Sequence, residues 1–153
     1  MRRHQLQSCL LAMFALAFAA AGTRAETIVK PSPKSVAETV DRLEKAAVGK
    51  GMTLFGRIDH GAGATAAGLS LPAMVLVQFG NPKGGTPLMQ AEPTMGLSLP
   101  LKVLVWQGSD GKVQVAYDPP ADLARLRNLA SNHPVLEKIG AALDAITSEA
   151  IAP

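Results

Sequence analysis

The side chains best suited to chemistry cluster in one short stretch, "FGNPKGGTPLMQAEP", from Phe79 to Pro93. Lys83 offers an ammonium group to an anion, and Asn81 and Thr86 offer hydrogen bonds. Leu88 and Met89, with Met95 just beyond, offer an apolar wall. His60, upstream, carries an imidazole that can donate or accept a hydrogen bond. Together these types suit a binding loop, so the candidate ligand-binding residues are His60, Asn81, Lys83, Thr86, Leu88 and Met89, facing a small molecule or a partner protein. A second reading is an enzyme with His60 as base and Lys83 as anion or oxyanion stabiliser. A third is a structural homodimer or larger homo-oligomer, with the apolar side of "TPLMQ" packed on another copy.

Known catalytic and metal signatures are not met. "GAGATA", Gly61 to Ala66, matches a dinucleotide-binding glycine pattern, but that pattern needs a crossover helix and an acidic residue about twenty positions on. No Asp or Glu lies between Asp59 and Glu92. In "GNPKGGT" the lysine precedes the paired glycines, which misplaces it for a phosphate loop. Ser70 and Ser98 lack the nucleophile-elbow context. His60, Met89 and Met95 include soft ligands for copper(I), yet they show no repeated ligand spacing, and methionine commonly fills core gaps. The reading therefore assigns no catalytic residue, no metal and no cofactor, and it leans away from an enzyme.

Several elements must hold this stretch in place. "SVAE" from Ser35 is a capping box, and Val36, Val40, Leu43 and Ala47 recur at helical spacing, with Gly49 and Gly51 closing the helix. "MTLFGRIDH" reads as a strand, "GAGATAAGLSL" as a loop with at most one helical turn, and "PAMVLVQFG" as an interior strand. In the stretch itself, Asn81-Pro82 starts a turn and Gly84-Gly85 permits unusual backbone shapes. Thr86-Pro87 then caps a short helix, "PLMQAE", whose free first-turn amides would lie near Lys83. "LKVLVWQGSDGKVQVAYDPP" is a hairpin, and a two-residue Asp110-Gly111 turn puts Leu104, Trp106, Val113, Val115 and Tyr117 on one face. Asp118-Pro119 caps a helix with Leu123, Leu126 and Leu129, and His133-Pro134 caps a last one with Val135, Ile139, Ala142 and Ile146 on its stripe. The fold class expected is α+β: a two-layer sandwich with a mainly antiparallel sheet of four to five strands, an N-terminal helix and two C-terminal helices.

Residues 1–25 read as a signal peptide, with "MRR", an apolar run from Cys9 to Ala21, and Thr23 and Ala25 before the cleavage point. That run is shorter than the ~20 residues that cross a bilayer, so stable membrane insertion is not expected. Residues 26–153 are then one periplasmic or secreted globular domain. The whole chain has 15 Lys and Arg against 12 Asp and Glu. Arg2, Arg3 and Arg24 lie in the leader, which leaves the domain balanced and gives no clustered basic surface for nucleic acid. The single cysteine, Cys9, is also in the leader, so the domain has no disulfide, thiol nucleophile or thiolate ligand.

"FGNPKGGTPLMQ", followed by "LPLKVLVW", resembles the family known as domain of unknown function 302, over about residues 35–130. The residues carrying the likeness are His60, the run Gly80 to Lys83, and the run Gly85 to Met89. The resemblance implies a small bacterial α+β domain with no established activity; the leader marks this one as an exported version.

Overall fold

The structure is a computed structural model that describes residues 26–153. The expected signal peptide lies outside the described residues. Strand β1 (Ile28–Ser32) leads to helix α1 (Val36–Gly49), where the Ser35 hydroxyl accepts from the Glu38 amide at 3.2 Å. Val36, Val40, Leu43 and Ala47 are all buried on one stripe, as their spacing requires. The helix ends in a Schellman motif: Gly51 sits at φ +74°, its amide bonds to Val48, and the Met52 amide reaches back to Ala47.

From there the chain runs through β2 (Thr53–Asp59), α2 (His60–Ala66), β3 (Met74–Gly80) and α3 (Pro82–Ala91). A 3-10 turn (Pro93–Leu97), β4 (Leu101–Gln107), β5 (Val113–Tyr117), α4 (Pro120–Leu126) and α5 (Pro134–Ile151) complete it. The five strands form one antiparallel sheet in the order β1-β5-β4-β3-β2. Helix α1 therefore carries the chain from one edge of the sheet to the other. It packs beside α5 over one face, where Val77, Phe79, Val103, Val105 and Val115 are each 0% exposed. The opposite pleat of the sheet bears the row Ile58, Leu76, Leu104, Ala116 and Val29. This is the expected α+β architecture, with helices grouped on one face of an antiparallel sheet.

The β4–β5 hairpin corrects the expected pairing. The Gly111 amide bonds to the Gly108 carbonyl, the Gly108 amide bonds to the Lys112 carbonyl at 2.8 Å, and Gly111 takes φ +80°. That is a three-residue loop with a glycine bulge, not a two-residue turn. Val105 therefore faces Val115, and Leu104 faces Ala116. Val103, Val105, Val113, Val115 and Tyr117 share the core face, while Leu104 and Trp106 lie on the outer one. One residue of loop length moved every β4 side chain to the other face relative to β5.

Asp118 is also not a helix cap: its carboxylate accepts from the Thr27 hydroxyl at 2.7 Å, and α4 starts at Pro120 behind Pro119. His133 does cap α5, with Nδ1 accepting from the Val135 amide at 3.3 Å.

Edge strand β1 is tied to α5 through one lysine. Lys30 Nζ lies 2.7 Å from Asp144 Oδ1, 2.9 Å from Thr147 Oγ1 and 3.0 Å from Ser148 Oγ. The Lys30 hydrogen bond and its charge hold the Asp144 carboxyl below the usual carboxylate range. A depressed folded-state pKa gives stability that is present above the unfolded value of about 3.9 and is lost as pH falls through the folded value. Lys30→Met is expected to destabilise the fold by about 1–2 kcal/mol at neutral pH, between an exposed ion pair and a buried charged hydrogen bond. It should also flatten that part of the acid-side stability profile, measured by urea unfolding from pH 7 down to pH 2.

Candidate functional site

The stretch that drew attention in the sequence is a helix over most of its length. Asn81 caps α3: its side-chain oxygen accepts from the Lys83 amide at 2.9 Å, and Pro82 takes the first helical position. The same Asn81 amide group donates to the Gly51 carbonyl at 2.9 Å, fastening α3 to the turn that follows α1. The expected start at Thr86-Pro87 is therefore five residues late. Pro87 sits inside the helix, where it cannot donate to the Lys83 carbonyl.

No first-turn amide of α3 is free. Pro82 has none, Lys83 bonds to the Asn81 side chain, and Gly84 and Gly85 both bond to the Asn81 carbonyl at 2.9 and 3.0 Å. The main-chain anion site expected there is absent, because the cap consumes its donors.

Beside this helix lies a cavity of about 590 Å³. Asn81 to Thr86 and Met89 form one wall; Met52, Phe55 and Gly80 come from the sheet end, and Gly96 with Leu99 to Leu101 from the approach to β4. Helix α5 closes it with Val135, Lys138, Ile139 and Ala142, residues that recur at helical spacing. Phe55 is placed there by a bulge: pairing of β2 with β3 shifts between Leu54 and Gly56, and Phe55 is the unpaired residue.

Gly84 and Gly85 sit in right-handed helical backbone, not in the unusual conformations expected for them. Their conformational freedom is unused. A methyl group on Gly84 would meet only Ile139, at 3.7 Å, and one on Gly85 would meet Leu99 at 3.4 Å. Each glycine in a helix interior costs roughly 0.5–1 kcal/mol relative to alanine. Both line the wall of the cavity, where the missing side chains leave it wider.

The candidate residues divide by place. Asn81, Lys83, Thr86 and Met89 line the cavity. Leu88 does not: it is 1% exposed and packs with Met95, Ala124 and Leu136 in a second small core. Leu88 is therefore a core residue of this chain and not part of an exposed apolar face. His60 is exposed at the start of α2, held behind Asp59, whose carboxylate caps the Ala62 amide at 2.8 Å. Thr53 pairs with Gly80, whereas Asp59 pairs with Val75. Phe55 on the cavity wall is five residues from His60 along β2, which separates His60 from the cavity by about 16 Å at ~3.3 Å per residue. His60 and Lys83 form no catalytic pair, and His60 does not meet Met89 or Met95. Sequence reasoning missed Phe55, Leu99, Lys138 and Ile139. The i, i+3, i+4, i+7 stripe of α5 was the only signal of the last two, and it reads as ordinary core.

Known proteins give this geometry a context. A protein of Brucella suis described as "Fluoride-specific ion channel FluC 1" is 47% identical over 107 residues, covering 70% of this chain and 42% of that protein. A Brucella abortus protein of the same description matches at 47% over 107 residues and 40% of its length. The chain thus spans less than half of these curated relatives, and among the described residues no helix is long and apolar enough to cross a membrane. The crystal structure of the uncharacterized conserved protein DUF302 from Bacillus stearothermophilus superposes with a TM-score of 0.74. It covers 80% of this chain and 96% of its own, at 20% identity, which supports the fold alone. The sequence pattern of the family described as "Domain of unknown function DUF302" matches residues 28–150, wider than the motif-bearing core, and the chain belongs to that family.

Proposed function

We propose that the domain binds a small molecule in the cavity between α3, α5 and the β2–β3 sheet end, and that it does so after export. The observation that carries this reading is the pair Gly84-Gly85. Two residues that weaken α3 and need no special backbone line a 590 Å³ cavity, a size usual for small-molecule sites. Phe55, 58% exposed, and Met89, 37% exposed, are large apolar side chains at its wall that a ligand would cover. Lys83 and Thr86 supply polar contacts, and Asn81 acts one step back by holding α3 in place. Intact mass of the chain recovered from an exported fraction tests the cleavage: a mass that still includes residues 1–25 removes the export proposal.

Gly84→Ala is expected to raise unfolding stability by about 0.5–1 kcal/mol, because the helix gains and the new methyl meets Ile139 at ordinary contact distance. Gly84→Leu and, from the adjoining turn of the same helix, Met89→Trp should each fill the cavity. The measurement is binding of a neutral apolar dye, Nile red, alongside a melting curve. Loss of dye binding in both variants with the fold retained supports the site. Dye binding equal to wild type in both sinks it.

A second reading has one observation in its favour: the curated relatives named for a fluoride channel share this domain. In that reading the domain associates with a membrane channel. Co-expression with the rest of the Brucella suis protein, followed by affinity purification, tests it, and recovery of the two parts separately argues against it.

A further inference from the structure

Resting on the cavity as a ligand site, we propose that its ligand is an amphipathic anion, with one carboxylate-like head and an apolar body. The charge arrangement around the cavity carries this. Residues 26–153 contain twelve lysines and arginines. Among the lysines and arginines of the described residues, only Lys45, Lys83 and Lys138 have no side-chain hydrogen-bond or ion-pair partner. Two of those three line the same cavity.

No aspartate or glutamate lines it. Apart from Lys45, the cations away from the cavity have partners: Lys30 has Asp144, Lys34 has Glu38, Lys50 has Glu149 and Arg57 has Asp41 and Glu44. At the cavity α3 and α5 each contribute one lysine to the wall, and neither ammonium group has a partner. A cleft lined by one sign of charge raises the local potential and favours an anion. The capped α3 amides cannot do this work, so recognition falls to the two side chains. Lysine presents a compact point charge with three rotatable donors, which can meet a carboxylate without a fixed bidentate geometry. Beside Asn81 and Thr86, the wall includes Met52, Phe55, Leu99, Leu101 and Ile139, which are apolar and match a hydrocarbon or aryl body.

The test compares two probes of equal chain length, decanoate and decanol, by isothermal titration of the 26–153 chain. Wild type is expected to bind decanoate about tenfold or more tightly than decanol, and to lose part of that preference between 50 mM and 500 mM salt as the rim charges are screened. Lys83→Met with Lys138→Met keeps the aliphatic stems and removes both charges. That variant should bind decanol as before and lose the preference for decanoate. Equal affinity for the two probes in wild type overturns the anion proposal while leaving the cavity as a ligand site. Binding of neither probe overturns both. A preference that persists unchanged in the double variant also overturns the assignment to these lysines.

Discussion

In urea unfolding, Phe79→Ala is expected to lose about 3–5 kcal/mol relative to wild type, the usual range for a fully buried phenylalanine. Phe79 is 0% exposed and lies on β3 between Leu54 of β2 and Leu101 of β4. It belongs to the main core, with α1 and α5 packed above the sheet. The cavity left by truncation would have rigid strand backbone on three sides, so little collapse can relieve it. The expected loss is a large part of the whole stability of a domain this size, commonly 5–15 kcal/mol. Phe79→Leu should retain more than half of that difference. A loss below about 1 kcal/mol for Phe79→Ala would place the residue outside the core.

Leu88→Ala should cost about 2–5 kcal/mol, with a different distribution through the molecule. Leu88 anchors the second cluster with Met95, Ala124 and Leu136, to which Val135 and Ile139 add partial cover. That cluster is what presses α3 against α4 and α5. Its loss should loosen α3 ahead of the sheet, so amide exchange in residues 83–91 should accelerate more than exchange in β3 and β4. Ligand binding at the cavity should fall with it, because Lys83, Gly84 and Thr86 ride on the same helix. A uniform acceleration across the chain would show that α3 has no independent opening. Leu88→Asp is expected to prevent folding, since the carboxylate would be buried without a partner. That substitution therefore reports on the monomer core and cannot report on assembly.

How much was legible depended on whether the information was local. The first helix was readable because Ser35, Glu38, the apolar stripe and Gly51 all act within a few residues of one another. The interior place of β3 was readable because a nearly uninterrupted apolar strand belongs between two others and not at an open edge, and β3 lies between β4 and β2. The hairpin register was not. Asp110-Gly111 fits a two-residue turn and a three-residue turn equally well, and the choice falls to whichever face of β4 the helices bury.

The start of α3 was illegible for the same reason. Asn81-Pro82 and Thr86-Pro87 are both competent caps, and the decision rests on the Gly51 carbonyl thirty residues away in sequence and on burial of Leu88. His60 and Lys83 look like neighbours in a motif, yet one strand length places them at opposite ends of β2. The sequence by itself determined the α+β class, the first helix, the hydrophobic strands and the charge inventory, because periodicity, capping and composition are properties of short segments. Only the tertiary structure decided that Gly84 and Gly85 line a cavity, that Lys138 joins Lys83 there and that His60 does not, because each of those facts depends on which distant segments the sheet order brings together.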